Sequence, residues 1–356
     1  MVAFFLTFSI IALLLVYNVT TQHHMAVKKA FSPYLVSLLF ASVVWAAWLV
    51  YTYPEHWRIF QDYWQISVTM IFGSIIAGAT SEGGGAIAFP VFTKMLHIAP
   101  GDAKVFSLAI QSVGMVAASI AIIMMRVQVL WRVIVWVSLG GVVGLFIGSV
   151  LLAPVLASDI IRMLFTVMAV SLAFTLIRLS ISFRLNHISM PEINLGEVGI
   201  LLLVGVAGGT VSGLVGSGID MLCFSVLVLL FRISESIATS TSVILMAISS
   251  VFGILLQMYF LDGINPQVQA YWLSAVPVVV VGAPLGAYFC SRMHYLKIRY
   301  LLIALICLEL GTSLWLLDFD STLIVFSISM LALFLTIMIW MSKAPFYARD
   351  SEQECL

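Results

Sequence analysis

Long apolar stretches separated by short polar connections run along almost the whole chain. An α-helix rises about 1.5 Å per residue, so roughly 20 apolar residues cover the hydrocarbon core of a bilayer. The stretches are of this length and do not alternate between apolar and polar positions, which favours helices over the strands of a membrane β-barrel. The pattern predicts nine membrane-spanning helices, over residues 2–17, 34–53, 105–125, 133–155, 160–182, 237–260, 269–290, 299–317 and 321–341.

Two further apolar segments are each interrupted by a glycine-rich break. The first runs over residues 66–80 and 86–97, and the second over residues 198–215 and 219–232. Each half is shorter than the roughly 20 residues that a full crossing needs. We therefore expect two re-entrant helical hairpins, each of which enters and leaves the membrane on the same side.

An internal repeat relates the two interrupted segments. Residues 72–116 align with residues 207–251 without a gap, at an offset of 135 positions. The shared glycines are Gly73 and Gly208, Gly78 and Gly213, and Gly83 and Gly218. Each copy is expected to hold one hairpin and three full spans, an odd number of crossings, so the second copy is inverted in the membrane. Interrupted helices at corresponding places in two inverted halves predict a transporter with its binding site at the midplane.

The repeat organises the chain into four parts. We predict a first repeat over residues 66–182 and a second, inverted repeat over residues 198–317. Residues 1–65 would form a pair of helices ahead of the repeats, and residues 318–356 a last helix with a tail. With the N-terminus outside the cell, twelve of the 16 Lys and Arg residues fall on the cytoplasmic side, as the positive-inside rule requires. These positions predict a multi-pass protein of the cell membrane with a cytoplasmic C-terminus.

The composition agrees with a membrane protein and excludes other classes. Hydrophobic residues make up 62% of the chain and charged residues only 9%, against roughly 25% charged in soluble domains. No polar stretch is long enough for a soluble catalytic domain, and a net charge of zero gives no sign of nucleic-acid binding. The sequence has no Cys/His cluster and no Gly-x-x-x-x-Gly-Lys-Ser/Thr motif, so we predict no metal, no cofactor and no use of nucleotides.

Short motifs surround both breaks. The first break reads Gly78-x-x-Ser81-Glu82-Gly83-Gly84-Gly85, with Pro90 five residues later, and the second reads Ser212-Gly213-x-x-Gly216-Ser217-Gly218. The spans that follow carry Ala103-x-x-x-Ser107 and Ala238-Thr239-Ser240-Thr241-Ser242. In these motifs, over residues 66–317, the chain resembles the TauE/SafE family of sulfite and organosulfonate exporters. The resemblance implies a helical membrane permease that exports a small sulfur oxyanion or a sulfonate.

The breaks supply the candidate substrate site. Glycine lets the chain turn sharply inside the membrane and lets a substrate touch the backbone. The second half-helix of each hairpin would begin there with unpaired N–H groups and about half a positive charge, which suits an anion. The candidate substrate-binding residues are Ser81, Gly83, Gly84, Gly85, Ser107, Gln111, Gly216, Ser217, Gly218, Thr241 and Ser242. The alternative is that these glycines and hydroxyls serve only the packing of helices.

Two carboxylates in the breaks are candidates for proton coupling. Ionised carboxylates at membrane depth are costly, so Glu82 and Asp220 are read as functional. A protonated Glu82 can lie beside an anion, whereas an ionised one would repel it. For Asp220 the alternative is an N-terminal cap on its own half-helix. Glu309 lies alone in a later span, where a structural hydrogen bond and an outlying relay step both remain open, and it is left out of the site.

Together these patterns predict a secondary transporter for a small sulfur-containing anion, and not an enzyme. The expected partners are this anion and the lipid bilayer, and a homodimer remains open. Carriers of another small anion, or permeases coupled to a cation held by Glu82 and Asp220, are the alternatives within transport. A membrane-embedded enzyme would need a nucleophile and base pair that the sequence does not offer, and a channel suits inverted broken helices less well.

Overall fold

The fold is described here from a computed structural model, which defines residues 33–53, 58–81, 92, 98–181, 195–316 and 320–343. Within these ranges the regular structure is helical. The helices are α1 (Pro33–Thr52), α2 (Ile59–Ala79), α3 (Pro100–Met124), α4 (Trp131–Phe146, continued by a π-helical turn over Ile147–Leu152), α5 (Ser158–Ile181), α6 (Leu195–Val215), α7 (Ile219–Leu229), α8 (Glu235–Tyr259), α9 (Pro266–Arg292), α10 (Tyr295–Leu316) and α11 (Ser321–Lys343).

Nine helices in the described ranges are long and apolar enough to cross a membrane, namely α1, α3, α4, α5, α6, α8, α9, α10 and α11. All except α6 coincide with predicted spans, so the all-helical membrane fold is confirmed. The remaining predicted span, over residues 2–17, lies outside the described residues.

The first arms of the two predicted hairpins are longer than the sequence indicated. Helix α2 begins at Ile59 and α6 at Leu195, so each contains 21 residues. At about 1.5 Å per residue each arm is roughly 31 Å long, but α2 has non-helical backbone angles at Tyr63, and of the two arms only α6 is both long and apolar enough to cross a membrane. The expectation that the arm is too short is therefore wrong for α6, whose first turn continues the helix, whereas for α2 it stays a prediction. Helix α7 has 11 residues and is too short to cross, while the matching segment 86–97 is outside the described residues, apart from Phe92. The re-entrant geometry stays a prediction.

Helix boundaries repeat at the offset of 135 positions found in the sequence. Helix α3 spans Pro100–Met124 and α8 spans Glu235–Tyr259, which coincide under that offset. By the same shift α2 corresponds to α6, α4 to α9, and α5 to α10, within a few residues at the ends. The repeat therefore extends over whole helices beyond the aligned motifs. The inversion of the second copy stays a prediction.

The described chain forms two compact units, and each combines helices from both repeats. One unit contains α1, α2, α3, α9 and the part of α8 from residue 243 onward. In it α9 packs along α2 and α3, and α1 lies on α9 and α3. The other unit contains α4 to α7, α10, α11 and the part of α8 up to residue 242. In it α4 packs along α6, and α5 packs against α10 and α11. The two closest pairs, α2 with α9 and α6 with α4, are therefore equivalent under the repeat.

A proline inside α9 is accommodated by a tryptophan of α1. Pro277 has no N–H, so the carbonyl of Leu273, one turn earlier, loses its helical donor. The indole N–H of Trp48 donates to that carbonyl at 2.8 Å, and the indole N–H of Trp45 donates to the Pro277 carbonyl at 2.9 Å. Because a bilayer offers no water to replace the lost bond, these contacts stabilise α9 where the proline interrupts it.

Candidate functional site

The second break is a turn that only glycine adopts readily. Helix α6 ends at Val215 and α7 begins at Ile219. Between them Gly216 has a φ of +98° and Gly218 a φ of +145°. A Cβ on Gly218 would also lie 2.5 Å from the side chain of Val211. Backbone conformation and lack of space therefore both require glycine at position 218.

The backbone amides at the start of α7 are partly engaged within the break itself. The N–H of Ile219 donates to Ser212 Oγ at 2.9 Å, and the N–H of Gly218 donates to Asp220 Oδ1 at 3.0 Å. The carboxylate of Asp220 thus lies where a bound anion was expected to meet these amides. The N-cap residue of α7 is Gly218, and Asp220, in the first turn, accepts from the N–H of this N-cap rather than being the N-cap itself.

Asp220 retains an acceptor that the break does not use. The residue is 1% exposed, and its Oδ2 atom has no hydrogen-bond partner among the described residues. Ser217 is likewise buried. A buried carboxylate oxygen without a donor is costly, so this oxygen is available to a proton or to a donor on a ligand.

The hydroxyl groups of Thr241 and Ser242, at the start of α8, make hydrogen bonds to backbone groups. Thr241 Oγ1 donates to the carbonyl of Ile237 at 2.7 Å and accepts from the N–H of Leu130 at 3.2 Å. Ser242 Oγ donates to the carbonyl of Thr239 at 2.9 Å. The buried hydroxyl that lacks a partner here is that of Thr239, which sequence reasoning did not select although it lies in the same motif.

The described part of the first break ends at Ser81. This residue is 1% exposed, and its hydroxyl has no hydrogen-bond partner in the ranges that the structure defines. Gly78, three residues earlier, faces α9, where a Cβ would lie 2.0 Å from the carbonyl oxygen of Ala283. The candidates Glu82, Gly83, Gly84 and Gly85 lie outside the described residues.

Ser107 and Gln111 form a pair one turn apart on α3. Gln111 Nε2 donates to Ser107 Oγ at 2.8 Å. The other amide atom, Gln111 Oε1, is buried and has no partner within the described chain. The pair therefore presents one orphaned acceptor, and the Ser107 hydroxyl remains able to donate.

A sequence model of the family described as Sulfite exporter TauE/SafE matches residues 66–314, well over half of the chain. The protein belongs to the TauE/SafE family. Comparisons with curated proteins and with solved structures found no match. The resemblance indicated by the break motifs is thus confirmed, and with its apolar helices the chain is a multi-pass membrane protein of a transporter family.

In this TauE/SafE protein, buried polar groups without a partner among the described residues occur in both units. The first unit carries the Ser81 hydroxyl and Gln111 Oε1, and the second carries the Thr239 hydroxyl and Asp220 Oδ2. Leaving such a buried group without a partner costs about 1–3 kcal/mol, so each one needs an explanation. Hydroxyls can donate to the oxygens of an oxyanion, whereas the two acceptor oxygens call for a proton or a donor. No group of three His, Cys, Asp or Glu side chains in the described ranges could hold a metal ion.

A buried ion pair in this family member was missed by sequence reasoning. Arg299 Nε on α10 donates to Glu235 Oε1 at the start of α8 at 2.9 Å, and a second guanidinium nitrogen contacts the same oxygen. The two residues are 5% and 1% exposed. In the sequence Arg299 is only one of the charges expected on the cytoplasmic side. No sequence pattern indicates that residues 64 positions apart form an ion pair.

Proposed function

We propose that this TauE/SafE-family protein is a secondary transporter that exports a small sulfur-containing anion, such as sulfite or a sulfonate, across the cell membrane. The observation that carries the proposal is the second break, where two glycines with positive φ join a crossing-length helix to a short helix. Interrupted helices are where transporters bind their substrates. The family match over residues 66–314 supplies the class of substrate.

Hydroxyls and backbone amides supply the donors in the proposed binding mode. In the first unit these are the hydroxyls of Ser81 and Ser107, and in the second unit the hydroxyl of Thr239. A sulfite or sulfonate group carries several oxygens, each able to accept from such donors. The glycines at positions 83–85 would add amides at the first break, as the sequence motif suggests.

We further propose that a carboxyl group in the breaks couples anion movement to protons. Glu82 follows Ser81 directly, and a carboxylate beside an anion in a site of low dielectric constant favours the neutral form. Protonation would let the anion bind, and release of the proton would expel it. Asp220 is assigned mainly to the turn, since its Oδ1 already accepts from Gly218.

Flux assays in proteoliposomes test the proposed function. Purified protein is reconstituted, loaded with labelled sulfite, taurine, sulfate or phosphate in separate vesicles, and given an imposed pH gradient. We expect sulfite or sulfonate flux that depends on the protein and accelerates when the gradient is imposed. Flux of none of the sulfur compounds, in vesicles where the protein is folded, would refute the assignment.

Glu82→Gln separates substrate binding from proton coupling. The amide imitates the protonated acid, so substrate-for-substrate exchange should persist while flux driven by a pH gradient is lost. Asp220→Asn is the matched control at the other break, because a role in the turn predicts gradient-driven flux at reduced stability. An unchanged pH profile in Glu82→Gln would remove Glu82 from the coupling step.

One observation favours a second candidate, a permease coupled to a metal cation. The carboxylate of Asp220 accepts from the N–H of Gly218, an amide that an anion would use, and its Oδ2 has no partner among the described residues, which suits a cation equally well. Flux that requires Na⁺ and ignores the pH gradient would support this candidate over proton coupling. The same vesicles distinguish the two when the external cation is exchanged for choline.

A further inference from the structure

A second buried carboxyl group lies in the middle of α10, a helix that contributes no residue to either break. Glu309 is 7% exposed and belongs to a helix that is long and apolar enough to cross the membrane. Its Oε1 atom accepts a hydrogen bond from Thr166 Oγ1 of α5 at 2.7 Å. Its Oε2 atom is buried and has no partner in the described part of the chain. Helix packing does not explain this carboxyl group, because its Oε2 atom has no hydrogen-bond partner among the described residues.

The hydroxyl of Thr166 can serve either protonation state of Glu309. It lies 2.7 Å from Glu309 Oε1, 3.0 Å from Ser313 Oγ and 3.2 Å from the carbonyl oxygen of Arg162. When Glu309 is ionised, the single hydroxyl proton points to its carboxylate. When Glu309 is protonated, the threonine oxygen can accept from the acid and turn its own proton to the Arg162 carbonyl. Both states are thus accommodated without moving a heavy atom.

The charged groups on α5, the helix packed against α10, leave Glu309 without a charged partner. Arg162 lies one turn before Thr166, and its side chain pairs with Asp159 at 3.4 Å. Arg178 lies in the last turn of α5, twelve residues beyond Thr166, which is about 18 Å along the helix. The contact from α5 to Glu309 is therefore the neutral hydroxyl of Thr166.

The titratable groups on α10 itself are also remote or turned away. Arg299 lies ten residues earlier, about 15 Å along the helix, and its guanidinium is bonded to Glu235. Cys307, two residues from Glu309, is exposed and so lies on another face. The exposed Lys297 and Tyr300 lie nearer the start of the helix, as does Tyr295. Among the described residues, an ionised Glu309 would therefore be a buried charge without a counter-charge, which is costly in a membrane.

We propose that Glu309, with Thr166 and Ser313, forms a proton-binding site in the membrane that contains no residue of either break. The ligand is a proton on the Glu309 carboxyl group: on Oε1 it is donated to Thr166 Oγ1, and on Oε2 it leaves the hydrogen bond that Oε1 accepts from Thr166 unchanged. The threonine hydroxyl adjusts its hydrogen bond to the state of the acid. The site stands whether or not sulfite is the substrate, since its occupation is measured without any substrate.

Infrared difference spectroscopy on the full-length protein in lipid nanodiscs tests the proposal. Spectra recorded over a range of pH, without sulfur compounds, should contain the carbonyl band of a protonated carboxyl group. Glu309→Gln should remove one such band, whereas Asp220→Asn should leave that band in place. Thr166→Val should shift the frequency of the band, because the acid loses its hydrogen-bond partner. Thr175→Val is the matched control on α5, since that hydroxyl bonds the carbonyl of Ser171 instead.

Each result decides the question. Loss of the band in Glu309→Gln, or its shift in Thr166→Val alone if the first variant does not fold, supports the site. A wild-type spectrum without any band sensitive to these two substitutions overturns it. A band that disappears when Na⁺ is added at constant pH also overturns it, because the carboxylate would then hold a metal cation rather than a proton.

Discussion

The glycines within helix α6 and the glycines that follow it have different roles. Comparing them distinguishes residues that pack helices from residues proposed to bind substrate. Gly205, Gly209 and Gly213 lie within the helix, where an added Cβ would lie 2.3, 2.3 and 2.7 Å from carbonyl oxygens of α4. Gly216 and Gly218 follow the helix and have positive φ angles. The first set lets two backbones touch, and the second lets the chain turn between α6 and α7. We call the first set, together with Gly140, Gly141 and Gly144 of α4, the glycine seam.

The contrast shows that the family motifs contain glycines of two kinds. Gly213 and Gly78 belong to the motifs of the two breaks, yet both face the backbone of a neighbouring helix. Gly213 meets the Leu145 carbonyl and Gly78 the Ala283 carbonyl. These two positions correspond under the repeat, so the motif combines a packing glycine with break glycines. Substitutions can therefore be assigned to one role or the other before any transport is measured.

The largest effect is expected in the glycine seam, from Gly144→Ala. A Cβ on Gly144 of α4 would lie 2.1 Å from the carbonyl oxygen of Val206, and backbone atoms on both sides have no room to move. We expect a destabilisation of about 3 kcal/mol, measured by thermal unfolding in detergent. Gly199→Ala is the control on α6, where a Cβ meets nothing within 4 Å. Equal stability of the two variants would contradict the account of the seam.

A smaller loss is expected in the break, from Gly218→Ala. A φ of +145° is unfavourable for alanine and should cost about 2 kcal/mol, in addition to the contact with Val211. Combining it with Val211→Ala should recover the steric part and leave the backbone strain. Complete recovery in the double variant would show that space, and not conformation, requires this glycine.

The smallest change is expected from Ser212→Ala, which removes the acceptor of the Ile219 N–H. One lost hydrogen bond of this kind costs about 1 kcal/mol. Ser225→Ala on α7 is the control, because its hydroxyl only repeats a bond to a carbonyl of its own helix, that of Met221. If both substitutions leave the stability equally unchanged, the glycines and Asp220 stabilise the break without a contribution from α6.

Hydropathy predicted the helices well because burial in lipid requires about twenty apolar residues in succession, whatever the tertiary contacts. It misjudged the lengths of α2 and α6, since a helix can begin with polar residues such as Gln61 and Asp62. Contacts between distant residues could not be predicted in the same way. The Trp48 bond to Leu273 and the pairing of Arg299 with Glu235 depend on which helices meet, which a single sequence does not reveal.

The sequence predicted where in the chain the candidate site lies better than it predicted which atoms are available there. Glycine motifs indicated the second break, where the structure has two glycines with positive φ, Gly216 and Gly218. They did not indicate that Thr241 accepts from the N–H of Leu130 while the Thr239 hydroxyl has no partner among the described residues. Residues in one helical turn share a sequence motif, but rotamers and neighbouring carbonyls decide which hydroxyl is left for a ligand.

The central claim is that the substrate binds at the breaks, whereas the glycine seam serves only the packing of helices. Sulfite affinity measured by flux tests this claim most directly. Gly84→Val alters the first break and Gly140→Ala the seam, where a Cβ would lie 2.3 Å from the Leu202 carbonyl. With flux normalised to folded protein, we predict that Gly84→Val abolishes transport although the protein inserts normally. Gly140→Ala should lower the yield of folded protein and leave its sulfite affinity at the wild-type value. Equal loss of affinity in both variants would contradict the claim.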